Sequence, residues 1–155
     1  MKEYLTLLTY PLDTGVLLES AAKSKLQAEP YTDPRYPDYQ FDYWRIGHYT
    51  DEHIEKIMTD FEVVGKPRFY WLKSNAYLPT HVDNGTTCSI NFILSDNPSP
   101  VTFNGKNYWY KQALLNTSTP HSVFNTSSER ILLKISIFDE TYEQLAKRIK
   151  YKLTD

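Results

Sequence analysis

Arg130-Ile131-Leu132-Leu133-Lys134-Ile135-Ser136-Ile137 decides the fold class. Ile131, Leu133, Ile135 and Ile137 alternate along it, the period-two pattern of a strand with one face in a core. Working outward, Ile131 to Phe138 is the last of six short strands. Arg68 to Lys73, Thr87 to Leu94, Val101 to Phe103, Tyr108 to Leu115 and Ser122 to Asn125 precede it, separated by Asn, Gly, Pro and Ser.

Before this block, residues 4 to 9 read as a short strand. Residues 14 to 27 read as a helix, with Leu18, Ala21, Ala22 and Lys25 at helical spacing. Three prolines between Pro30 and Pro37 predict an irregular loop that leads into a strand around Phe41 to Ile46. Thr50 is placed to cap a second helix, and Asp51 and Glu52 suit the positive end of its dipole. Ile54, Ile57, Met58 and Phe61 form its buried stripe, and Gly65 and Pro67 close it. The tail from Glu140 to Leu153 returns to helical period through Tyr142, Leu145, Ala146, Ile149 and Leu153.

The expected architecture is mainly β with flanking helices, a mostly antiparallel sandwich or barrel, and a jelly roll fits the number and spacing of strands. At 155 residues one domain is expected, with its core in 68–138, strand and helix elements in 1–64 and a terminal helix in 140–153. The aromatic content of 15%, with thirteen tyrosines, favours the same β-rich reading.

A formal charge of −2 gives no basic surplus, so no nucleic-acid partner is expected. Threonines interrupt the leucines near the amino terminus and no apolar run reaches spanning length, so no membrane partner is expected either. Cys88 is the only cysteine, which excludes an internal disulfide and a cysteine zinc cluster; a reducing, cytoplasmic setting is expected. Asn84, Asn116 and Asn125 begin Asn-x-Ser/Thr triplets that read as polar turn residues.

The chemistry centres on His81-Val82-Asp83, followed by His121 and then Arg130. With four histidines in the chain, one His-x-Asp triplet arises by chance about one time in four, so its context carries the weight. In an extended segment residues i and i+2 project to one side, so His81 and Asp83 can converge on one ion with Val82 turned away. Two imidazoles and a carboxylate are the ligand set of non-haem Fe(II) oxygenases. Both His81 and His121 fall at predicted strand ends, where a jelly roll is open to a ligand. Arg130 carries a fork suited to two parallel hydrogen bonds with a carboxylate, or else it caps its strand and pairs with a surface acid. His48 and His53 have no matching partners in the sequence and read as structural or surface residues.

The order His-x-Asp, distal His, then Arg resembles the Fe(II)- and 2-oxoglutarate-dependent oxygenases. More narrowly, Cys88-Ser89-Ile90-Asn91 after the first motif and His121-Ser122-Val123-Phe124 before Arg130 resemble the aspartyl/asparaginyl β-hydroxylase branch. The resemblance covers residues 68 to 138. It implies a double-stranded β-helix of jelly-roll, cupin-like type. It also implies Fe(II) held by His81, Asp83 and His121, with 2-oxoglutarate as cosubstrate and O₂ as oxidant. Arg130 would take the distal carboxylate of 2-oxoglutarate, and Tyr70 lies where that branch places a hydroxyl on the same group. Asn91 stands where the branch has an arginine near the other end of the cosubstrate, and Ile93 where it has a histidine. Asp83 departs in the opposite sense, because the best-known animal members of the branch lack this carboxylate.

Two functional readings follow. One is a dioxygenase that hydroxylates a peptide, amino acid or small metabolite and releases succinate and CO₂. The other is a non-enzymatic jelly-roll binding or structural module with an internally satisfied polar cluster, of which a cupin-type metal-dependent isomerase is the enzymatic variant. Neither reading fixes the oligomeric state.

Overall fold

The computed structural model describes residues 3–25, 29–31, 41–83, 85–97, 99–125 and 128–153. The elements run β1 (Leu5–Leu7), α1 (Thr14–Lys25), β2 (Glu29–Tyr31), β3 (Phe41–His48), α2 (Glu52–Phe61), β4 (Gly65–Leu72), β5 (Tyr77–His81), β6 (Cys88–Ile93), β7 (Val101–Phe103), β8 (Lys106–Tyr108), β9 (Gln112–Leu115), β10 (His121–Phe124), β11 (Arg130–Ile137) and α3 (Tyr142–Arg148). Seven strands form one sheet in the order β1-β9-β6-β11-β4-β3-β2, and four form a second in the order β5-β10-β7-β8. Every pairing is antiparallel. This is the jelly-roll class expected from the sequence.

The alternation in β11 sorts the interior into two cores. Leu133, Ile135 and Ile137 join Phe69, Trp71, Ile90, Phe92, Leu17, Ile54, Phe61 and Leu145, so this face of the large sheet is sealed by all three helices. Leu132 joins Tyr70, Leu72, Ile93 and Leu115 with Leu78, Val101, Phe103 and Val123 of the small sheet. The second core is therefore the space between the sheets, and the even positions of β11 point into it. Arg130, Lys134 and Ser136 share that face with Leu132.

Several boundaries differ from those expected. Asp51 rather than Thr50 caps α2, its carboxylate accepting from the backbone N–H groups of His53 and Ile54, both at 3.0 Å. The helix stops at Phe61 because Glu62 turns left-handed (φ 57°), so Gly65 and Pro67 lie in β4 instead of ending the helix. α1 buries Leu17, Ser20, Ala21 and Ser24, a stripe rotated from the expected one, and Leu18 lies at the surface. Residues 26 and 27 of its expected span, Asn84, and most of the Pro30–Pro37 segment lie outside the described residues. Tyr108 to Leu115 splits into β8 and β9, and β5 is an additional strand.

The terminal helix is shorter than its apolar period suggested. A capping box between Thr141 and Gln144 starts α3, and it ends at Arg148. Beyond it the backbone returns to bridge Leu8 with Lys152, which leaves Leu153 52% exposed. Among the described residues no helix is long and apolar enough to cross a membrane.

Candidate metal centre

His81 is the last residue of β5 and His121 the first of β10, and the two are direct partners across that ladder. Their ring centroids lie 4.4 Å apart. Asp83 follows His81 by two residues, and its backbone N–H donates to the Thr117 carbonyl at 3.1 Å in the turn that leads to His121. The near and distal parts of the motif are thus tied by backbone as well as by side chains.

Both imidazoles are oriented in the same way. The His81 Nδ1–H donates to the Pro79 carbonyl at 2.7 Å, and the His121 Nδ1–H to the Thr119 carbonyl at 2.8 Å. A carbonyl can only accept, so each Nδ1 carries hydrogen and each neutral ring offers a lone pair on Nε2. Those two Nε2 atoms face Asp83 Oδ1 at 3.3 and 3.5 Å. Three lone-pair atoms turned on one another in a largely buried place repel unless a cation or proton lies among them.

The donor set fits a dication. Two ligands at right angles, each about 2.1 Å from an ion, stand about 3 Å apart, close to the spacings seen here. A backbone partner on the remote imidazole nitrogen is also the usual support of a metal-binding histidine. Side-chain exposures of 8 to 14% leave the three residues reachable but mostly shielded. Among the described residues, this is the group of His, Cys, Asp and Glu side chains that could hold a metal ion.

The second oxygen of Asp83 is also engaged. Lys134 Nζ donates to Asp83 Oδ2, and the same ammonium lies 5.4 Å from the centroid of the Tyr70 ring. Burial works against an ionised Asp83, but the facing Lys134 charge outweighs it, and its pKa lies well below the ordinary carboxylate range. Burial likewise disfavours the Lys134 ammonium, and the facing carboxylate reverses that, raising its pKa. Lys134 was absent from the residues singled out in the sequence. It is an ammonium two positions from Leu132, on the face that β11 shares with Arg130.

Arg130 and Asn91 lie on the same inner surface. Arg130 is 1% exposed; Nη1 donates to the Ser99 carbonyl at 2.6 Å and Nη2 to the Tyr110 hydroxyl at 3.4 Å. Its Nε has no hydrogen-bond partner among the described residues, an orphan that a carboxylate would satisfy. No surface acid pairs with it among the ion pairs described. Asn91 donates to the same Tyr110 hydroxyl at 3.2 Å and accepts from Ser89 Oγ at 2.8 Å. Tyr110, outside the expected site, therefore joins Asn91 to Arg130. Tyr70 is buried one register step from Lys134, opposite Leu132. His48 and His53 are exposed and stand outside the cluster.

No known protein-family model and no curated protein matches the sequence. Solved structures do match in shape. A Pseudomonas putida prolyl-4-hydroxylase superposes with a TM-score of 0.61 at 11% identity, over 88% of this chain and 91% of that one. The viral collagen prolyl hydroxylase of Paramecium Bursaria Chlorella virus-1, solved as its 2OG complex, gives 0.59 at 11% identity, over 86% and 95%. A 2OG-Fe(II) oxygenase family oxidoreductase from Burkholderia pseudomallei gives 0.52 at 13% identity, over 81% and 79%. The chain has the jelly-roll fold of these oxygenases. At such identities the likeness establishes the fold and leaves function to the residues, because one fold carries many chemistries.

Proposed function

We propose that this chain is an Fe(II)- and 2-oxoglutarate-dependent dioxygenase that hydroxylates a peptide, amino acid or small metabolite. The observation that carries this reading is the convergence of three lone-pair atoms, with both histidine tautomers set by backbone carbonyls. In it, His81 and His121 hold the metal through Nε2 and Asp83 through Oδ1, leaving the opposite side of the ion for other ligands. When bound, iron and 2-oxoglutarate supply the oxidising chemistry, in which O₂ is consumed, 2-oxoglutarate becomes succinate and CO₂, and the substrate gains a hydroxyl.

The chain's own residues bind, orient and shield. Arg130, with its orphaned Nε, takes the distal carboxylate of 2-oxoglutarate, and Tyr110, whose hydroxyl also accepts from Asn91, holds its Nη2. Tyr70 contributes a wall beside Lys134 and a hydroxyl for the cosubstrate. Phe103, its ring centroid 5.5 Å from that of His121, screens one ligand from water.

The test is succinate formation with O₂ uptake when Fe(II) and 2-oxoglutarate are supplied, including the slow turnover expected without the true substrate. Wild type should form succinate and His81→Ala should not. Equal rates in the two proteins, or none in wild type under conditions where metal and cosubstrate are shown to bind, would favour the binding-module reading.

A further inference from the structure

Arg130 carries a fully buried positive charge that no acid answers among the described ion pairs. Its partners are all neutral. Nη1 donates to the Ser99 carbonyl at 2.6 Å and, at the longer 3.5 Å, to Asn97 Oδ1, while Nη2 donates to the Tyr110 hydroxyl at 3.4 Å. Of the N–H donors of a guanidinium, the one on Nε and one on Nη2 then remain. A carboxylate can take such a pair with two parallel hydrogen bonds.

Asn97 meets Arg130 with its oxygen because of a relay that starts in the main chain. Asn125, just after β10, is fully buried, and its Nδ2 donates to the carbonyls of Leu72, Lys73 and Ser128 at 2.7 to 3.1 Å. Three acceptors on one side fix which end of that amide is nitrogen, so its Oδ1 turns to Asn97. Asn97 Nδ2 donates to this oxygen at 2.6 Å and to the Ser128 carbonyl at 3.0 Å. The Asn97 oxygen is thereby turned the other way, where it accepts from the Ser99 backbone N–H at 2.9 Å and from Arg130 Nη1. A reversed Asn97 amide would set oxygen against oxygen at one end and N–H against guanidinium at the other.

We infer that Asn97 and Asn125 are positioning residues for Arg130, holding its Nη1 side with neutral oxygens so that Nε and Nη2 stay open to an incoming carboxylate. An aspartate in place of Asn97 could accept from the same Nη1, but it would pair with the guanidinium and cancel the charge that draws the ligand. A neutral amide supplies the hydrogen bond without that cancellation. Asn97 also holds the turn that presents the Ser99 carbonyl, so its loss loosens both Nη1 contacts. The inference rests on the cosubstrate role proposed for Arg130, and it concerns the distal end of the cosubstrate alone.

The test compares 2-oxoglutarate with 2-oxobutyrate, which lacks the distal carboxylate, on Co(II)-loaded protein, with binding read from the Co(II) absorption. Asn97→Ala should weaken 2-oxoglutarate about fivefold or more and leave 2-oxobutyrate within about twofold of wild type. Asn97→Asp should weaken 2-oxoglutarate further than Asn97→Ala does, an order that lost packing alone does not produce. In an Arg130→Met background, Asn97→Ala should change 2-oxoglutarate affinity by less than about twofold. Asn125→Ala should behave as Asn97→Ala does; if it does not fold, the variants of Asn97, which is only partly buried, decide the question. Undiminished 2-oxoglutarate binding in Asn97→Ala or Asn97→Asp, or equal losses for the two ligands, would overturn the inference and leave the role of Arg130 intact. Undiminished 2-oxoglutarate binding in Arg130→Met would overturn both, and failure of wild type to bind Co(II) would overturn the metal reading with them.

Discussion

His81 and His121 face each other across the β5–β10 ladder, and each donates its Nδ1 hydrogen to the carbonyl two residues before it. The symmetry means that neither ring can be lost without opening the proposed metal position. His81→Ala and His121→Ala should each weaken Mn(II) or Co(II) binding by about 100-fold or more, measured by calorimetry, while the far-ultraviolet circular dichroism stays that of wild type.

Asp83 has two duties, one for each oxygen. Asp83→Ala removes a proposed metal ligand and also leaves the Lys134 ammonium, only 13% exposed, without its counter-ion. The metal-free protein should lose about 3 kcal/mol in urea unfolding, the scale of breaking one side of a buried pair. Replacing both residues, Asp83→Ala with Lys134→Met, should recover much of that loss.

Asp51 supplies a prediction away from the site. Burial opposes its ionisation, but the Ser20 hydroxyl and the backbone N–H groups of Ile54 and His53 outweigh it, so its folded pKa is lowered. A lowered acid pKa stabilises the fold above the unfolded value, near pH 4, and the contribution disappears as pH falls through the folded value. Asp51→Ala should therefore cost about 1 kcal/mol at pH 7, and the gap to wild type should narrow on acidification. Urea unfolding of both proteins across the acid range measures it.

Cys88 is fully buried in the helix-side core, and burial, ahead of its neighbouring acids, pushes its thiol pKa up to about 11. It should resist a thiol-specific reagent at pH 8 in the folded protein and react promptly in urea. Rapid reaction of native protein would contradict the packing described here.

The alternation of Ile131, Leu133, Ile135 and Ile137 made the central strand legible, and His81, Asp83 and His121 were legible from their order. Lys134 was not, because the even face of β11 reads as mixed, and only the register with β4 and the position of Asp83 give its ammonium a partner. The end of α3 was hidden for a related reason. Ile149 and Leu153 continue a helical period, but the return of the chain to Leu8 gives the backbone after Arg148 a partner other than helix. The cap of α2 was misread by one residue because Thr50 and Asp51 are both good caps, and the buried Ser20 hydroxyl favours the carboxylate.

The central claim is that His81, Asp83 and His121 hold Fe(II) with 2-oxoglutarate on its open side. Anaerobic titration of the protein with Fe(II) in the presence of 2-oxoglutarate tests it directly, through the weak visible charge-transfer absorption of the chelate. The account predicts a band that saturates at one iron per chain in wild type and vanishes in His81→Ala. No band in wild type, or an undiminished band in His81→Ala, would contradict it.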